Sequence, residues 1–115
     1  MKVNLEDKVK KIAEEIIGTK EFAAFQQANK ILERNSRLKS QVEEFFRSNA
    51  ELQECKQLGK KSSIKPEEIK DKYARLMQTQ EIANYFKQSQ KFHELMMEVH
   101  GLIDETINRY LENTK

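Results

Sequence analysis

Between Glu81 and Leu111 the chain runs 31 residues without proline, and Ile82, Tyr85, Ser89, Phe92, Met96, Val99, Ile103 and Tyr110 recur on one helical face. At about 1.5 Å per residue such a helix is roughly 45 Å long. A compact globule of this length has a diameter of only about 34 Å. The pattern therefore predicts either a bend at Gly101 or apolar surface that continues beyond the monomer's own core. Adding Phe86, Leu95, Leu102 and Leu111 widens the apolar sector to about half the circumference, more than the seam of a two-stranded coil occupies. One side is expected to hold the chain's own bundle and the other to meet a second chain.

Four shorter helices precede it. Leu5, Val9, Ile12 and Ile16 share a helical face, with Asn4 as the expected cap and Gly18 as the stop. Thr19 reads as the cap of a second helix carrying Phe22, Phe25, Ala28 and Leu32, and Asn35 with Ser36 as the next cap. A third stripe, from Arg37 to Leu58, contains Leu38, Val42, Phe45, Phe46, Asn49 and Leu52, and ends at Gly59 in a polar loop. Pro66 suits a first helical position, and Glu67 and Glu68 complement the positive helix start, so a fourth helix with Ile69, Tyr73, Leu76 and Met77 follows. Thr79 is the expected cap of the last. A shift of 60 residues superposes Val9 on Ile69, Ile16 on Leu76, Thr19 on Thr79, Glu21 on Glu81 and Ala23 on Ala83. Two related helix-break-helix units would give this echo, and so would punctuation shared by any two amphipathic pairs.

Composition supports helices over sheets: 35% of residues are charged and 37% hydrophobic, with three glycines, one proline and no tryptophan. The fold expected is all-α, a single domain over residues 1–115, with about five helices in an elongated, dimer-forming bundle. Its 21 basic and 19 acidic side chains are mixed along the sequence, so no large single-sign field draws it to nucleic acid or membrane. A lone cysteine makes no internal disulfide, and the start of the chain has no apolar segment like a signal or a membrane span. A reducing cytoplasm is the expected location.

Candidate chemistry is sparse. His93 and His100 lie seven residues apart, about 10 Å along a helix axis, too far for one metal ion bound at about 2 Å per ligand. Cys55 has no CxxC partner and reads as a small hydrophobe. The carboxylate pairs Glu14 and Glu15, Glu43 and Glu44, Glu67 and Glu68, and Asp104 and Glu105 are consecutive, so their members diverge on a helix. No phosphate-loop, dinucleotide or HExxH motif is present. No catalytic, metal-binding or cofactor-binding residue is therefore expected, and no enzyme. Lys56, Lys60, Lys61 and Lys65 form an acid-free basic cluster that suits phosphates, although without interleaved aromatics nucleic acid is not the expected partner. Asn49 lies in the middle of an apolar stripe, where an amide can set helix register or oligomeric state. The interface is expected on Phe45, Phe46, Asn49, Phe86, Phe92, Met96, Met97, Val99 and Ile103, whose apolar burial drives association at about 25 cal/mol per Å².

The order of parts also resembles a known family. EFAAFQQA (Glu21 to Ala28), VEEFF (Val42 to Phe46), QLGK (Gln57 to Lys60), PEEI (Pro66 to Ile69), QEIANYF (Gln80 to Phe86) and QKFHELM (Gln90 to Met96) follow one another as in the YlbF/YmcA family of small bacterial helical proteins. The resemblance covers roughly residues 5 to 111. It implies a non-enzymatic regulatory protein that forms a homodimer or a hetero-oligomer with a related member. It also implies a protein partner in a regulatory complex influencing competence, sporulation, biofilm formation and ribonuclease-dependent RNA maturation. The alternative is an RNA-associated accessory factor that uses the lysine loop. Members associated with iron-sulfur clusters carry cysteines in a C-terminal extension, whereas this chain stops at Lys115 with only Cys55, so no cofactor is expected. The family's Asn-Pro-like break before the last helix is replaced by Thr79 and Gln80, which would allow the fourth and fifth helices to run together.

Overall fold

The computed structural model describes residues 2–114, with side chains from Asn4 to Thr114. Five helices follow one another: α1 (Lys2–Ile17), α2 (Lys20–Glu33), α3 (Ser36–Gln57), α4 (Pro66–Leu76) and α5 (Gln80–Asn113). No strand occurs among the described residues.

The helix ends follow from local chemistry. Asn35 is extended, and its side-chain oxygen accepts a bond from the Leu38 amide at 3.2 Å, which caps α3. At the other end Gly59 takes the left-handed conformation, with φ of 68°. That lets the Lys60 amide donate to the Cys55 carbonyl at 2.9 Å and the Gly59 amide to the Lys56 carbonyl at 3.3 Å, a Schellman closure. Pro66 opens α4 with Glu67 and Glu68 in its first turn. One expected boundary moves: α1 begins at Lys2, so Asn4 lies inside the helix and does not cap it. No proline or glycine precedes Asn4 to interrupt the helix there, and its weak helix propensity is outweighed by its neighbours.

The two threonine breaks are built alike. The Thr19 amide donates to the Ile16 carbonyl at 3.0 Å and the Ala23 amide to the Thr19 carbonyl at 3.1 Å. Sixty residues on, the Thr79 amide donates to Leu76 at 3.1 Å and the Ala83 amide to Thr79 at 2.9 Å. The hydroxyl of Thr19 adds a bond to the Ile16 carbonyl at 2.7 Å and accepts one from the Phe22 amide at 3.2 Å. Residues 77–79 separate α4 from α5, so these two helices are not continuous.

The chain divides into two compact units, Met1–Gln26 with Lys87–Lys115, and Gln27–Phe86. In the second, Leu32, Leu38, Val42 and Ile82 form a buried cluster, with Leu76, Tyr85 and Phe86 packed against it. Ile82 is fully buried, and Ala28, Phe45 and Leu52 are also buried. These are residues of the predicted stripes of α2, α3 and α5. In the first unit Phe92 of α5 stacks on Phe25 and meets Phe22 edge-on, at centroid distances of 5.4 and 5.7 Å. Gly101 does not interrupt α5, so of the two sequence expectations it is the uncovered apolar surface that is realised.

Candidate association surfaces

Within the first unit, every residue from Asn4 to Glu15 is exposed. The apolar face of α1 is therefore open: Leu5 is 62% accessible, Val9 53% and Ile12 44%. The same holds for α5 from His100 to its end, where Leu102, Ile103, Ile107, Tyr110 and Leu111 are all exposed. Isolated exposed apolar residues are ordinary, whereas here apolar positions stand open together, on α1 at Leu5, Val9 and Ile12 and on α5 from Leu102 onward, with Ile16 half-buried. The expected interface residues of this unit divide. Met97 and Ile103 are exposed, Met96 and Val99 are half-buried, and the ring of Phe92 is taken up by Phe22 and Phe25. The open face of α1 is absent from the interface predicted from sequence. Its signal was the stripe of Leu5, Val9, Ile12 and Ile16, which reads identically whether a core or a partner covers it.

In the second unit Phe45 and Phe46 of α3 come together with Phe86 of α5. The ring of Phe86 lies 6.0 Å from Phe45, 5.7 Å from Phe46 and 5.6 Å from Tyr73. Phe45 is buried in this cluster, whereas Phe46 and Tyr73 present exposed surface. Asn49 is half-buried on α3. Beside the cluster, Glu33 binds the Lys39 ammonium at 2.8 Å. That hydrogen bond, with the charge of Glu33, raises the Lys39 pKa above its ordinary value. Burial, helped by the same carboxylate, raises the phenol of Tyr85.

Lys56, Lys60, Lys61 and Lys65 line a hollow of about 270 Å³ together with Leu52, Cys55, Ser62, Ile64 and Pro66. None of the four lysines forms an ion pair among the described residues. Neither a histidine nor a carboxylate lines the hollow; its ionisable side chains are Cys55 and the four lysines. A second hollow, of about 230 Å³ between α3 and α4, is lined by Glu44, Phe45, Lys72 and Arg75 among others. Its lysine is engaged internally, by Ser48 at 3.3 Å and Glu44 at 3.8 Å. Among the described residues no three histidine, cysteine or acidic side chains are grouped so as to hold a metal ion. No helix among them is long and apolar enough to cross a membrane.

The described residues form an all-helical protein of five helices, with apolar side chains exposed along α1 and along α5 from His100 onward. The sequence profile described as control of competence regulator ComK, YlbF/YmcA, matches residues 5–108. The chain belongs to this family, whose description is regulatory. Comparison with curated proteins and with solved structures gives no match.

Proposed function

We propose that the chain is a non-enzymatic cytoplasmic regulatory adaptor that acts through helix-mediated self-association and by binding a further protein. The observation that carries this reading is the uncovered apolar surface of α1 and of α5 beyond Gly101. Burying a large aliphatic or aromatic side chain completely stabilises an assembly by about 1.5–3 kcal/mol. Several such side chains together outweigh the cost of bringing two chains into one body. The aromatic cluster, with Phe46 and Tyr73 exposed, offers a separate face for a protein partner, and Met97 is adaptable to more than one surface. Asn49 fits this reading as a register-setting amide at the edge of that face. Membership of a regulatory family supports protein partners. Light scattering at micromolar concentration tests the core of the reading: a dimer or larger species is expected, and a strict monomer would overturn self-association.

A second reading rests on the lysine hollow. Four unpaired lysines around one loop suit an RNA-associated accessory role. Binding to RNA that weakens steeply with salt and is lost when Lys60 and Lys61 become glutamate would favour it. Salt-independent or absent binding would remove it.

A further inference from the structure

We infer that α1 is a self-recognition helix, pairing antiparallel with α1 of a second copy of this chain across a two-fold axis. The inference rests on the self-association proposed above and specifies its partner, surface and register.

The first observation is the lack of cover. α1 is 16 residues long and exposed throughout Asn4 to Glu15, and Ile16, the last residue of its stripe, is half-buried and keeps part of its surface free. Helices of about this length are marginal in water without tertiary packing. An apolar face on such a helix needs a surface to lie against.

The second observation is spacing. Leu5, Val9, Ile12 and Ile16 are separated by four, three and four residues, the alternation of a coiled-coil seam. In an antiparallel pair, Leu5 meets Ile16 of the second copy and Val9 meets its Ile12. The same register serves all four layers, because each sum of paired numbers is the same. A surface that matches itself in this way produces a closed, isologous dimer.

Charge selects the direction. On the rim of that seam, Lys8 of one copy lies beside Glu15 of the other, and two-fold symmetry makes the pair twice. The remaining rim positions place Glu6 near Ala13, with no like-charge contact. In a parallel pair Lys8 would face Ala13, so the two complementary contacts would be lost. Lys10, Lys11, Asp7 and Glu14 fall outside the seam and its rim. The open stripe of α5, with Ile103, Ile107 and Tyr110, is the competing surface for α1. It offers Asp104 and Glu105, but Arg109 already bonds to Glu105 along its own helix.

The test uses the full chain, its variants Lys8→Glu and Glu15→Lys, their equimolar mixture and the double variant, all by sedimentation equilibrium at low ionic strength. Each single variant sets like charges together twice and is expected to raise the dimer dissociation constant on the order of tenfold. Mixing the two restores both opposite-charge contacts, so the mixture and the double variant regain the parent's affinity. Circular dichroism on the same samples checks that the helices persist. A monomeric parent chain would overturn self-association together with this pairing. A dimeric parent that neither single variant weakens, or whose weakened variants are not restored on mixing, overturns the antiparallel α1 pairing alone.

Discussion

The ring of Phe25 lies within 4° of parallel to that of Phe92, with the centroids 5.4 Å apart. Phe22 closes on the same ring edge-on, so one α5 side chain holds two positions of α2. Phe92→Ala is expected to destabilise the protein by about 2–3 kcal/mol, below the full cost of a buried aromatic because the ring is half-buried. Urea denaturation measures the loss. Phe92→Leu should recover part of it by keeping apolar volume without the stacking geometry.

Burial separates two residues of the same helix. Ile82 has no accessible surface, whereas Met97 is 58% exposed. Ile82→Ala should cost about 3 kcal/mol through lost transfer energy and the cavity left behind. Met97→Ala should leave denaturation of the dilute chain within about 0.5 kcal/mol of the parent. Equal losses in the two variants would contradict the burial pattern.

Stability is expected to fall in strong alkali. The phenol of Tyr85 is raised above its ordinary 10.0 by burial and by Glu33, so the folded state holds that proton more tightly than the unfolded chain does. Its contribution is complete below the unfolded value and disappears as pH rises through the folded one. Lys39, raised above 10.5 chiefly by its hydrogen bond to Glu33, works in the same direction. Thermal melts should therefore drop progressively above about pH 10. Tyr85→Phe should flatten part of that slope and leave the region between pH 6 and about 8 unaltered.

Two glycines should respond oppositely to alanine. At Gly59 the positive φ strains any side chain, and Gly59→Ala is expected to cost about 1–2 kcal/mol. At Gly101 an added methyl meets nothing within 4 Å and lies inside a continuous helix. Gly101→Ala should stabilise by about 1 kcal/mol. Chemical denaturation of both variants at one protein concentration gives the comparison.

Local rules make much of the architecture legible in the sequence. The cap at Asn35, the stop at Gly59 and the start at Pro66 each depend on a few neighbouring atoms, and all three stand where the spacing put them. Asn4 lies inside α1: capping preference does not say how far a helix extends upstream. Ile82 and Ile103 occupy one stripe on α5, yet the first is sealed in a core and the second is open. Periodicity reports that a face is apolar and is silent on what covers it. For the same reason the stripes alone do not say that Phe92 engages Phe22 and Phe25, or that the face of α1 stands open. The lysine hollow needs the fold of the loop between α3 and α4 to bring Ile64 and Pro66 into one lining with the four lysines.

Because a single helix carries both the sealed Ile82 and the open segment beyond Gly101, α5 is a built-in gauge with two scales. Amide protons of the bonded turn that begins at Ala83, beside the buried Ile82, are expected to exchange when the surrounding core opens, whereas those past Gly101 are expected to exchange by local fraying of an uncovered helix. A chain docked on that open segment slows the second set and leaves the first almost untouched. The ratio of the two rates along one continuous backbone thus reads occupancy independently of the fold's own stability.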